Sequence, residues 1–197
     1  ANLTLNSVDV SGNVTDTAGG GIALHIASKL TVHFSTIHNN RAGSYGGGIG
    51  GHINAADSVT IVQSTISNNV AFNGGGLGVV STNATPSAAG VLFSRSTVSQ
   101  NTASNSADGY GGGIFNSNGA TITSHGSIIA GNTAFAADNS DIYGVFNLGS
   151  THNLIGRPGN SGLSSTMGNR AGTNAVPLDP KLSPLDNHGG PTKTHVP

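Results

Sequence analysis

One short pattern returns five times along this chain of 197 residues, and it limits the available folds more than any other feature. The copies are "VDVSGNVT" (8–15), "STIHNNRA" (35–42), "STISNNVA" (64–71), "STVSQNTA" (96–103) and "SIIAGNTA" (127–134). Their shared asparagine falls at 13, 40, 69, 101 and 132, in steps of 27, 29, 32 and 31 residues. Three positions earlier stands a β-branched residue each time, and two positions later a threonine and then four alanines. A second marker, "GGGI" or "GGGL", follows at 19–22, 46–49, 74–77 and 111–114, and the fifth copy carries "DNSDIYG" (138–144) instead.

Periods of this length belong to solenoids, propellers or arrays. A helical solenoid is excluded because Gly, Ser, Thr and Asn, which dominate here, all cost helix stability relative to Ala. A four-stranded propeller blade needs about 40–45 residues, more than the observed step. Three short strands joined by three turns fit the step, and the alternation in "LTLNSVDVS", "TVHFSTI" and "TIVQSTI" is of strand type. The expected fold is therefore all-β, a parallel β-helix of about five coils of 27–32 residues, with coils over 1–156 and an irregular tail over 157–197 packing on or extending the last coil.

In such a fold equivalent residues stack about 4.8 Å apart. Val10, Ile37, Ile66, Val98 and Ile129 then form an internal apolar ladder, and Ile22, Ile49, Leu77 and Ile114 a second. Asn13, Asn40, Asn69, Asn101 and Asn132 form an amide ladder at a corner where asparagine tolerates a left-handed backbone. The small residues at 42, 71, 103 and 134 suit a crowded interior, and the glycine triplets let neighbouring coils approach closely.

The motifs also carry a resemblance. The pairing of "GGGI" with Ile/Val-x-x-Asn is similar to the repeats of right-handed parallel β-helix proteins of bacterial surfaces, especially the polymorphic outer-membrane protein type. In that type an aromatic occupies the place taken here by Ile or Val. "SIIAGNTA…DIYGVFNLGSTHNLIG" (127–156) and "PLDPKLSPLDNHGGPTKTH" (177–195) resemble the last coil and tail of large secreted β-helix proteins, with His188 inserted between Asn187 and Gly189. The resemblance implies right-handed coiling and an extracellular or cell-surface location.

Composition narrows the function. The net charge of −1 leaves no basic footprint for nucleic acid, no apolar run approaches the roughly 18 residues of a membrane span, and the first residues lack the pattern of a signal peptide. Polysaccharide lyases and hydrolases need clustered carboxylates or a strong base across a groove. Here Asp9, Asp16, Asp57, Asp108, Asp138, Asp141, Asp179 and Asp186 share no position in neighbouring coils. Asp138 and Asp141 are read as turn residues, Asp138 capping and Asp141 accepting backbone N–H groups, rather than as a Ca²⁺ site. Of the eight histidines, His33 and His125 share a repeat position, but Asn6, Val62 and Ser94 interrupt it, so no metal site is expected. "SHG" (124–126) matches the Gly-His-Gly of polygalacturonases without that family's other elements. Tyr45, Phe72 and Tyr110 precede glycine triplets, which sets up a short aromatic stripe, read first as packing.

The expectation is an extracellular structural or adhesive β-solenoid without a catalytic site or cofactor. It would self-associate through uncapped coil ends, either as a filament subunit or as part of a larger surface protein. The alternative is the β-helix portion of a polysaccharide-binding or polysaccharide-degrading protein.

Overall fold

A computed structural model describes residues 1–82, 87–135 and 141–197. The chain winds into a parallel β-solenoid whose coils contribute to four sheets. The first sheet stacks β1 (Asn2–Asn6), β5 (Lys29–His33), β9 (Ser58–Val62), β13 (Ser87–Ser94) and β17 (Ala120–His125). The second stacks β2 (Asp9–Ser11), β6 (Thr36–His38), β10 (Thr65–Ser67), β14 (Thr97–Ser99) and β18 (Ile128–Ile129), and continues through β21 (Leu154–Ile155) and β22 (Arg170–Ala171). Two-residue strands make the third: β3 (Val14–Thr15), β7 (Arg41–Ala42), β11 (Val70–Ala71), β15 (Thr102–Ala103) and β19 (Thr133–Ala134). The fourth holds β4 (Ile22–Leu24), β8 (Ile49–Ile53), β12 (Leu77–Ser81), β16 (Ile114–Ser117) and β20 (Ile142–Tyr143).

A coil thus has four strands where three were expected. The corner inside "STIHNNRA" divides what reads as one segment into β6 and β7, because Asn39 takes a left-handed backbone (φ 55°) between them. The same correction applies to the laddered asparagines themselves. The left-handed residue is the one before each of them, namely Gly12, Asn39, Asn68, Gln100 and Gly131, which leaves the asparagine free to aim its amide inward.

Strand pairing sets Val10, Ile37, Ile66, Val98 and Ile129 in one register, followed by Ile155 and Ala171. Ile37, Ile66, Val98 and Ile129 are fully buried, and Val10, in the first coil, is partly so. Ile22, Ile49, Leu77 and Ile114 share a register in the fourth sheet, where Ile142 of "DIYG" extends the column. Val32, Ile61, Phe93 and Ile122 complete the core from the first sheet. At the C-terminal end buried Phe146 and Leu163 join this core, Phe146 bridging to Ile122, so the chain itself covers the end of the fifth coil.

Candidate functional site

The polar residues of the repeat gather at its corners. Each laddered asparagine donates from Nδ2 to the Oδ1 of its copy one coil on: Asn13 to Asn40 (2.9 Å), Asn40 to Asn69 (3.0 Å), Asn69 to Asn101 (3.0 Å) and Asn101 to Asn132 (2.9 Å). The same Oδ1 also accepts the backbone N–H of the asparagine below. The second amide hydrogen of Asn40, Asn69, Asn101 and Asn132 goes to the carbonyl of Val10, Ile37, Ile66 or Val98 respectively. An inner carboxamide therefore uses both lone pairs and both hydrogens, the full complement for an asparagine.

The column ends at Asp141. In the coil-to-coil register Asp141 stands where earlier coils have the third glycine of the triplet, since the N–H of Ile22, Ile49 and Leu77 meets a glycine carbonyl and that of Ile114 meets Asp141. A Cβ on Gly48, Gly76 or Gly113 would lie 3.0, 3.1 or 2.7 Å from the amide nitrogen of the next coil's asparagine. At the last coil no such amide arrives, and the Asp141 side chain fills the place. Its Oδ1 accepts the backbone N–H (2.9 Å) and Nδ2 (2.8 Å) of Asn132, and its Oδ2 accepts the N–H of Arg157 (2.6 Å). An ionised carboxylate only accepts, so it closes a one-way donor chain without stranding a hydrogen. Burial pushes the Asp141 carboxyl above the usual range, against a partial pull downward from Asn132 and Arg157.

A second column was missed in the sequence. The hydroxyls of Ser35, Ser64, Ser96 and Ser127 accept the backbone N–H of Val8, Ser35, Ser64 and Ser96, and Asn153 and Asn169 carry the column on. Its signal was the serine that opens "STI", "STI", "STV" and "SII".

On the outer face of the fourth sheet Tyr143 packs against Phe115 (centroids 5.3 Å apart, 17° between planes) and Tyr110 (4.7 Å, 34°). Tyr45 meets His52 edge-on, its hydroxyl 2.7 Å from Nε2. Tyr45 and Tyr110 share a register, but Phe72 does not join them. The third coil's corner is one residue shorter, which brings Asn73 to that position.

The tail does more than extend the last coil. From Leu178, whose N–H meets the Gly156 carbonyl, it runs back along the outside of the second sheet. Residues 183–196 fold on themselves, with Asp186 and Thr194 exchanging both backbone bonds. Thr192 Oγ1 donates to the Phe34 carbonyl (3.0 Å), Thr36 Oγ1 donates to the Lys193 carbonyl, and the Thr65 and Thr194 hydroxyls lie 3.2 Å apart. His195 donates from Nδ1 to the Ser183 carbonyl (2.6 Å), so its Nε2 accepts from the Ser67 hydroxyl (2.8 Å). This is a serine–histidine pair with an orienting group, but Ser67 is 0% exposed and His195 6%, which closes the hydroxyl to an incoming substrate while the tail is docked. Beside it, the buried His38 pairs with Asp9 at 3.0 Å.

The remaining candidates are dispersed. His33 and His125 sit on the outer edge of the first sheet, in register with Asn6, Val62 and Ser94. Ser124 of "SHG" is buried and donates to Asn153, and His125 faces Thr151. Asp57 is buried and accepts the N–H groups of Ser28 and Asn54. Asp138 lies outside the described residues. Among the described residues no three His or Asp side chains come together as a metal site. A cleft of about 470 Å³ opens between the Gly131–Ala134 corner, Arg157 and the Pro177–Pro180 segment, with Asp141 in its wall. Among the described residues no helix is long and apolar enough to cross a membrane. Residues 2–157 match the family described as a right-handed beta helix region. No curated protein and no solved structure matches the chain.

Proposed function

Because the chain belongs to the right-handed β-helix family, we propose that it is a structural or adhesive solenoid that works outside the cell or on its surface. One observation carries this reading. The buried asparagines and serines of the repeat are spent on holding one coil to the next. Asparagines, serines and Asp141 bond to their counterparts above and below, and among the described residues Asn116 Oδ1 is the one buried side-chain polar atom without a partner. A rod braced in this way can carry surface features at a fixed pitch. The resemblance of its repeats and tail to surface and secreted β-helix proteins supports the location.

Between filament and larger assembly, the geometry favours the latter. Head-to-tail growth requires two open coil ends, and Phe146 and Leu163 cover one of them. At that end the amide column also finishes in an acceptor, which has nothing to donate to another copy's Asn13. Electron microscopy of the purified chain tests this, with discrete short rods expected and unbranched filaments contrary to it.

The second reading, polysaccharide binding, is favoured by the half-exposed rings of Tyr45, Tyr110, Phe115 and Tyr143 along one face. Tyr110, Phe115 and Tyr143 pack against one another and Tyr45 against His52, so these rings offer less free face to a sugar than isolated ones would. The chain has no tryptophan, so tyrosine emission reports on this patch during titration with neutral and acidic polysaccharides. Turnover of any of these polymers would overturn the non-catalytic reading.

A further inference from the structure

The outer face of the second sheet is a docking site for an extended strand. Its side chains point away from the core, yet Thr36, His38, Thr65 and Ser67 are at most 5% exposed, whereas Asp9 and Ser11, the same positions in the first coil, are exposed. The cover is Thr192–His195. Its contacts alternate down the segment: hydroxyl to the Phe34 carbonyl, carbonyl from Thr36, hydroxyl against Thr65, imidazole accepting from Ser67. None of these four bonds is part of a backbone ladder, so recognition depends on the side chains of "TKTH" and of the sheet face.

The segment is held to the body at two separate places. One is the anchor of Leu178 on Gly156, and the other is the dock on the second and third coils. At about 4.8 Å per coil these places lie about 14–19 Å apart along the axis. The connection between them, "DPKLSP", is rich in proline, and the hydrogen bonds of Lys181 within it go to Asp179 of the same stretch. Residues 183–196 close on themselves, so they can leave the sheet face without losing their internal bonds.

We propose that this hairpin docks in trans as well as in cis, the Thr192–His195 segment of one copy occupying the Thr36–Ser67 face of a second copy. The inference rests on the scaffold reading and gives it a means of joining rods side by side where their ends cannot stack. The contacts are identical in both arrangements, so the balance depends on concentration alone. A short tether presents its own hairpin at an effective concentration of about millimolar. Dilute chains therefore keep the hairpin in cis, and copies crowded to that level exchange it.

The chain has no cysteine, which permits a direct test. The Thr65 and Thr194 hydroxyl oxygens are 3.2 Å apart, within reach of a disulfide when both residues are cysteine. Full-length Thr65→Cys and Thr194→Cys proteins are mixed at rising concentration, oxidised mildly and resolved without reductant. The control partner for Thr194→Cys is Thr17→Cys, on the exposed first coil. The expected result is a Thr65–Thr194 linked dimer, confirmed by peptide mapping, whose share rises roughly in proportion to concentration and exceeds the control. A yield no higher than the control, with the Thr65→Cys/Thr194→Cys double variant closing only within one chain, would overturn exchange and leave the scaffold reading intact. A double variant that forms no disulfide at all would overturn the docking itself, and polysaccharide turnover bears on the scaffold reading alone.

Discussion

Replacing Asn69 with alanine should cost far more than the same change at Asn13, although both occupy the same repeat position. At the inner rung the substitution removes Oδ1, which accepts the backbone N–H and the amide of Asn40, and Nδ2, which serves Asn101 and the Ile37 carbonyl. Asn101 Oδ1 retains the N–H of residue 69. Two groups are left without a partner, the Asn40 N–H and one Asn40 amide hydrogen, while the Ile37 carbonyl keeps its place in the β6–β10 backbone ladder. Each such buried group costs about 1–3 kcal/mol, which gives roughly 2–4 kcal/mol after allowing for some relaxation. This is a large part of the usual total of about 5–15 kcal/mol. Asn13 is exposed and supplies one amide bond to an oxygen that keeps a second donor, so its loss should cost less than about 1 kcal/mol. Equilibrium urea unfolding decides between them. At a slope of about 2–3 kcal/mol per molar, Asn69→Ala should lower the midpoint by about 1 M and Asn13→Ala by a few tenths. Equal shifts for the two variants would refute the view that the column stabilises through complete satisfaction of buried groups.

Gly76→Ala places a methyl 2.7 Å from the Gly113 carbonyl and 3.1 Å from the Asn101 amide, and should cost about 1–3 kcal/mol through overpacking. Gly12→Ala meets nothing within 4 Å and bears only the left-handed backbone penalty of about 1–2 kcal/mol, so thermal unfolding should rank it as the milder change. The raised Asp141 carboxyl binds its proton more tightly in the folded chain, so its contribution is greatest below the ordinary value of 3.8 and is lost as pH climbs through the raised folded value. Urea midpoints measured across that window should fall more for the native chain than for Asp141→Asn, which has no proton to release. Deleting residues 177–197 should speed amide exchange in β6 and β10, three to four coils from the cut, and leave β2 unchanged, as read by hydrogen-exchange mass spectrometry.

The period, the apolar register and the corner asparagines were legible because a solenoid makes each coil meet a copy of itself, so the sequence repeats whatever the stacking requires. The four-strand coil was not, since a two-residue strand such as Val70–Ala71 is too short to show alternation. The serine column was visible as a letter but not as a bond, because serine is as common in turns as in ladders. Asp141 was read as an acceptor of backbone N–H groups, but its position as the successor to a glycine depended on a register that the fifth copy's altered spacing hides. The route of the tail had no local signal at all. Thr192–His195 lies more than 120 residues from the threonine and serine side chains it meets, and nothing periodic links the two stretches.

The amide column also has a direction, since every carboxamide gives one hydrogen to the oxygen of its copy one coil nearer the C-terminus. A whole repeat inserted or removed between the first and fifth coils would return each donor to an acceptor, so rod length can drift by gene duplication without new polar mismatches. Beyond Asp141 the same event has no hydrogen to hand on. A single aspartate in place of glycine thus acts as punctuation, and it fixes where in the gene the protein can lengthen.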